Sequence, residues 1–202
     1  MSSAVDKVRA YVTKRMKEEL PLDLCFHDWD HASVVVNACH RIATTSQISE
    51  PDCEILMIAA WFHDLGFIYQ YQGHEKESQK MAKSFLRSTD FNDKRLHEVI
   101  SCIEATRMPQ SPKTFLERIL CDADMAHLGS PDYLNRLALL RKEWLIKLGK
   151  AFTDRDWYTE NVNFLEQHKY FTLAAGGLYH DGKIKNINRL KKLISKGNWK
   201  PL

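Results

Sequence analysis

An all-α fold is predicted for this chain on three grounds. Apolar residues recur at helical spacing along most of its length, and capping and stop residues fall at the ends of those stripes. No run alternates apolar and polar residues in the way a half-buried strand requires. Internal repeats and low-complexity segments are absent from the sequence.

The elements follow in order. Val5, Val8, Tyr11, Val12 and Met16 keep a helical period, and Pro21 closes that element. From His31, a stripe of Val34, Val35, Ala38 and Ile42 predicts a second helix with His31 in its first turn. Ser49-Glu50-Pro51-Asp52 then supplies a cap, an early proline and acids ahead of an unbroken apolar run from Ile55 to Phe62, and Gly66 lies just past it. The spacing predicts one buried helix over residues 50 to 64, ending on His63-Asp64. Further helices are expected over 74 to 87, 93 to 106, 113 to 128, 132 to 148, 154 to 168 and 184 to 196. Gly129 and Gly149 serve as stops, and Pro109 and Pro112 bound a loop.

At 202 residues the chain fits one globular domain, expected over residues 1 to 180, with a basic amphipathic helix over 181 to 202 docked on it. From Lys183 onward there are seven basic residues (Lys183, Lys185, Arg189, Lys191, Lys192, Lys196, Lys200) and no acidic one, although the whole chain carries only +3. Ile187, Leu190 and Ile194 share one face of that helix. Docking would cover the apolar face and leave the lysines in water; the alternative is a surface for a membrane, a nucleic acid or a partner. There is no strong nucleic-acid signal elsewhere.

A hydrophobic content of 44% with 27% charged residues is that of an ordinary globular protein. No stretch approaches the roughly 20 apolar residues of a transmembrane helix, and Met1-Ser2-Ser3-Ala4-Val5-Asp6-Lys7 is not a secretory signal, so a cytoplasmic location is the default expectation. Cys25, Cys39, Cys53, Cys102 and Cys121 are odd in number and widely spaced, which predicts reduced, buried thiols.

The chemistry is concentrated in the His63-Asp64 doublet. A polar pair closing so apolar a run needs a partner, and a metal ion is the natural one. Further donors lie on either side, with His27 and His31 upstream in Phe26-His27-Asp28-Trp29-Asp30-His31 and Asp122 and Asp124 downstream. On a helix Asp122 and Asp124 point about 200° apart, so only one of them can face the ion.

The ordered set resembles the HD-domain superfamily of metal-dependent phosphohydrolases. Residues 27 to 31 resemble its first-histidine segment, Ala59 to Phe67 its central motif, and Asp122-Ala123-Asp124 its closing one; Gly73-His74-Glu75-Lys76-Glu77-Ser78 and Ile103-Glu104-Ala105-Thr106 resemble intermediate segments of some members. The likeness covers residues 20 to 130 or so and implies an HD-domain helical bundle. It favours His31 over His27 and Asp124 over Asp122, giving His31, His63, Asp64 and Asp124 as ligands of one divalent ion. Such a mixed nitrogen and oxygen set suits Mn, Fe, Co, Ni, Zn or Mg. Some relatives use two metals or act as di-iron oxygenases with extra histidines before the last aspartate. Here that interval holds His74 and His97 with Glu104 at one expected ligand position, so one metal is expected and no oxygenase.

The resemblance implies hydrolysis of a phosphoester or phosphoanhydride in a nucleotide or related small phosphate by metal-activated water. Asp64 would also orient that water, while His74, Glu75, Arg107 and Lys113 are candidates to line the pocket and meet the phosphate. His97 and His127 read as helical residues without a role. The alternative is a non-catalytic nucleotide-sensing or interaction module on the same fold.

Overall fold

A computed structural model describes residues 3 to 197. The end of the basic tail, including Lys200, lies outside the described residues. Among those residues the secondary structure is helical throughout: α1 (Ser3–Glu19), α2 (Trp29–Thr45), α3 (Glu50–Phe62), α4 (His74–Arg87), α5 (Asp93–Ala105), α6 (Phe115–Asp124), α7 (Tyr133–Leu148), α8 (Asp154–Gln167) and α9 (Leu173–Lys196). Short 3-10 turns, Leu65–Ile68 and Met125–Gly129, follow α3 and α6.

Capping chemistry sets most boundaries. Asp28 caps α2 by accepting from His31 N, Ser49 caps α3 by accepting from Asp52 N, and Thr114 and Glu117 form a reciprocal capping box on α6. Gly149, at φ 64°, ends α7 in the left-handed conformation that favours glycine.

Two expected helices end early. The apolar run stops as α-helix at Phe62, with His63 at its C-cap and Asp64 outside it, so the doublet sits on a bend between α3 and a 3-10 turn. Likewise the 113–128 segment divides at Asp124, where α6 gives way to a 3-10 turn. At both joints the change of direction places a ligand-type side chain at a helix end instead of along a helix face. The last helix departs the other way, beginning at Leu173 instead of 184. Gly176, Gly177 and Gly182 weaken its helical signal in sequence, and packing overrides them.

Two apolar clusters form the interior. The larger joins α1 to α6 around α3, whose residues Ile55 to Phe62 are all buried. The smaller gathers Leu128, Tyr133, Leu137, Trp157, Tyr158, Val162, Leu165, Ile187 and Leu190 between α7, α8 and α9. Helix α9 connects them, since Ala175 and Tyr179 belong to the first cluster and Ile187 and Leu190 to the second. It crosses the 125–129 turn backbone to backbone. A β-carbon on Gly182 would stand 2.0 Å from Gly129 O, and one on Gly129 would stand 2.5 Å from Tyr179 O, so neither position has room for a side chain. Asn186 reinforces the crossing by donating to Leu128 O and Ser130 O.

Polar ties hold α7 to the segment before α2. Glu143, fully buried, accepts from Phe26 N, His27 N and Tyr71 Oη and lies 2.5 Å from His27 Nδ1. Arg136 donates to Phe26 O, and Lys147 pairs with Asp23 at 2.5 Å.

Candidate functional site

His31 comes from the first turn of α2, His63 and Asp64 from the bend after α3, and Asp124 from the end of α6. Their donor atoms converge. His31 Nε2 stands 3.3 Å from Asp64 Oδ2 and 3.2 Å from Asp124 Oδ1; His63 Nε2 stands 3.2 Å and 3.8 Å from the same two oxygens. Adjacent ligands on an octahedral ion with bonds of about 2.1 Å lie about 3.0 Å apart, so these separations suit one small divalent cation. One donor atom each from His31, His63 and Asp124 falls within 4.8 Å of the others.

Second contacts orient the donors. His63 Nδ1 donates to Ala60 O at 2.7 Å, which turns the Nε2 lone pair toward the cluster. Asp64 makes no capping bond to the turn that follows it, leaving both carboxylate oxygens available. His31 Nε2, His63 Nε2 and Asp64 Oδ2 are all buried without a hydrogen-bond partner, an arrangement that a cation relieves.

The electrostatics point the same way. Burial opposes a charge on His31, yet the nearby carboxylates of Asp124 and Asp64 outweigh it and lift the imidazole to about 9. Burial likewise opposes ionisation of Asp64, and the surrounding imidazoles of His63, His31 and His74 hold it well below the ordinary carboxylate range. The cluster is thus built to hold positive charge, as protons or as a metal.

Asp64 also faces a second direction. His74, the first residue of α4, places Nε2 3.2 Å from Asp64 Oδ1, and its Nδ1 lies 3.1 Å from Tyr71 O. Its ring stacks on Phe67 at 3.6 Å, and Phe67 also packs against His27 at 4.5 Å. Glu75 is buried beside His74, with Oε1 3.9 Å from His74 Nε2 and Oε2 without a partner.

A cavity of about 610 Å³ opens from this cluster. Asp64, His74, Glu75, Arg107 and Asp124 line it, as do His27 and His127. Lys113 does not; it is exposed just before the Thr114 cap of α6, where its backbone N donates to the Glu117 side chain. Glu104 is also outside the lining, accepting from Gln79 and standing 3.6 Å from Arg107. His97 is exposed on α5. His127 donates Nδ1 to Asp124 O, and burial together with the charge on His31 pushes it down to about 4, so it is a neutral ring at neutral pH.

Asp122 turns away from the cluster. Fully buried, it accepts from Phe171 N, Thr172 N and Thr172 Oγ1 at 2.7 to 2.8 Å, anchoring the N-terminal end of α9. Two acids two residues apart therefore do unrelated work on opposite sides of α6.

Sequence reasoning missed the far wall of the cavity and the Glu143 tie. Leu137, Leu140, Trp144 and Leu148 on α7 face it, with Trp157, Glu160 and Phe164 from α8. Their helical spacing is visible in sequence but reads as ordinary core.

No protein-family model matches the chain, and no curated protein sequence matches it significantly. Solved structures do resemble it. A predicted HD superfamily hydrolase from an uncultured Thermotogales bacterium aligns with TM-score 0.66 at 16% identity, over 96% of this chain and 92% of that one. A Lactobacillus plantarum protein aligns with TM-score 0.71 at 11% identity, over 97% and 98%. Bacillus subtilis YpgQ, solved in complex with ADP, aligns with TM-score 0.63 at 18% identity, over 93% of each. This chain is similar to all three in fold along nearly its whole described length.

Proposed function

The chain has the all-α fold of the HD superfamily, and we propose that it is a metal-dependent phosphohydrolase acting on a nucleotide or a related small phosphate ester. The observation that carries this reading is the convergence of His31, His63, Asp64 and Asp124 at one end of a cavity, with three of their donor atoms buried and unpartnered. The ADP bound by the Bacillus subtilis neighbour supports a nucleotide as the ligand class.

His31, His63, Asp64 and Asp124 would hold one divalent ion. When bound, such an ion would supply Lewis-acid polarisation of a phosphoryl oxygen and would lower the pKa of a coordinated water toward neutrality. Asp64, with one oxygen toward the histidine pair and the other toward His74, orients the attacking water. The water oxygen would form the new bond to phosphorus as the ester P–O bond breaks, Asp64 would accept the proton that the water gives up, and the leaving oxygen would take a proton from the His74 imidazolium. His74, fixed by Asp64, Tyr71 O and the Phe67 ring, is placed to hold a proton close to the reacting atoms. Arg107, at the edge of the cavity, is the guanidinium available to developing phosphate charge. Lys113 has no place in this scheme.

The test is to purify the protein without chelator, measure metal content by elemental analysis, and assay phosphate release from a nucleotide panel with manganese or cobalt added. About one metal per chain with turnover is expected. Metal-loaded protein that binds nucleotides without hydrolysing them would instead mark a sensing module.

A further inference from the structure

Helix α9 carries a line of cations on the side it does not use for packing. At about 100° per residue, Lys185, Arg189, Lys192 and Lys196 fall within a sector of about 60°, while Asn186, Ile187 and Leu190 lie about 100° to 200° around the helix from Lys185. The latter three are buried, Ile187 and Leu190 in the smaller apolar cluster and Asn186 on the carbonyls of Leu128 and Ser130. The four cations are exposed. They therefore form a ridge about 16.5 Å long that faces away from the domain.

The ridge is not neutralised by the protein. None of its four residues forms an ion pair among the described residues, whereas Lys191, on another face of α9, pairs with Glu166 at 2.6 Å. Arg189 donates to neutral groups, Pro131 O and Asn186 Oδ1. Asp181, the one acid of α9, bounds the ridge a turn before Lys185, and Asp132, next to Pro131, accepts from Asn135. Like charges at three- and four-residue steps destabilise a helix, so the docked face of α9 sustains an arrangement that a polyanion would relieve.

The packing of α9 decides which polyanion fits. An amphipathic helix binds a membrane by sinking its apolar face into the lipid, and here that face is occupied by the protein's own core. Asn188 and Ser195 border the ridge on one side, and Leu193, on the other, packs against the core cluster. Ile184, 40% exposed, stands only at its start. A nucleic acid backbone asks for no apolar contact, only for cations in line. A strand of B-form duplex carries one phosphate per about 3.4 Å of axis, so the ridge laid along it spans about five phosphates. The lysine stems let each ammonium reach a phosphate oxygen.

We infer that this ridge is a docking surface for the phosphate backbone of a nucleic acid, bound without regard to sequence. None of its residues lines the cavity, so the inference stands apart from the hydrolase reading.

The experiment is fluorescence anisotropy of a labelled DNA duplex of about 20 base pairs titrated with the full chain at several salt concentrations. Four cations that each release a counterion give log K against log salt a slope of about −3.6, so binding should weaken about a hundredfold between about 50 and about 200 mM. The double variant Lys192→Gln, Lys196→Gln should bring the slope to about −1.8, and Lys191→Gln, off the ridge, should leave it unchanged. Vesicles of phosphatidylserine in phosphatidylcholine are the competing probe. Failure to bind the duplex at about 50 mM salt, a slope unmoved by the double variant, or binding to the vesicles in preference to the duplex overturns the inference.

Discussion

Replacing Gly66 by alanine tests whether the geometry of the site depends on a backbone contact two residues beyond Asp64. A β-carbon there would stand 1.9 Å from His74 O and 2.6 Å from Ser78 N, both backbone atoms of α4. To restore even a 3.0 Å separation, the start of α4 must retreat by about 1 Å. That retreat also stretches the 2.8 Å bond from Gly66 N to Ser78 Oγ and carries His74 away from Asp64 Oδ1, now 3.2 Å distant. Overpacking of this kind costs about 1–3 kcal/mol, and the weakened hydrogen bond adds about 1 kcal/mol. For a chain of this size the sum lowers Tm by about 5 to 15 °C. Gly176→Ala is the internal control, because a β-carbon there meets nothing within 4 Å, and a helical glycine replaced by alanine gains about 0.5–1 kcal/mol. Thermal melts of both variants, with and without metal, supply the readout, together with kcat at saturating metal. The reasoning is refuted if Gly66→Ala melts with its parent and keeps full turnover.

Other outcomes follow from the same site. Asp64→Ala should abolish both bound metal and turnover, whereas Asp122→Ala should keep about one metal per chain and lose about 2–4 kcal/mol through its three unpaired donors at the start of α9; elemental analysis and melts separate them. In chelator-stripped protein His31 is raised to about 9 from an ordinary 6.5, so its stabilising contribution is complete below 6.5 and is lost as pH rises through 9; melts across that window should show the decline, and metal-loaded protein should not. Burial opposes ionisation of Glu143, but His27 and the backbone amides of Phe26 and His27 hold its carboxyl below the usual range. Its contribution is therefore present above the ordinary carboxylate pKa and lost as pH falls through the depressed value, and Glu143→Gln should flatten the acid limb of Tm against pH.

Local chemistry made much of the fold legible. Ser49, Thr114 and Gly149 mark helix ends because a cap or a left-handed residue acts within a few positions of itself; the stripes of α1 and α2 follow from burial on one face, and the unbroken apolar run of α3 from burial on every side. The first half of α9 was hidden because its glycines lower helical propensity, and their reason, a close backbone crossing with Gly129, lies more than 50 residues away. In the candidate site, Asp122 and Asp124 could be separated in direction by helical geometry, although what each one touches could not be read. His27 and Glu143 were illegible as a pair, since 116 residues separate them and neither carries a local sign of its partner. The cavity wall failed for a related reason: a stripe facing a cavity and a stripe facing a core have the same spacing.

The crossing of α9 over the 125–129 turn makes that helix a lever with a fixed pivot. From Gly182 it runs about 15 Å to Thr172 and about 21 Å to Lys196, at 1.5 Å per residue. The short arm is fastened to Asp122, and about half a helical turn of α6 joins Asp122 to Asp124. A rigid tilt that displaces the Lys196 end therefore arrives at the α6 terminus reduced by only about a third, in the opposite direction. The cluster of His31, His63, Asp64 and Asp124 is in this sense mechanically geared to a surface about 20 Å from the pivot, where no side chain of the cluster is present.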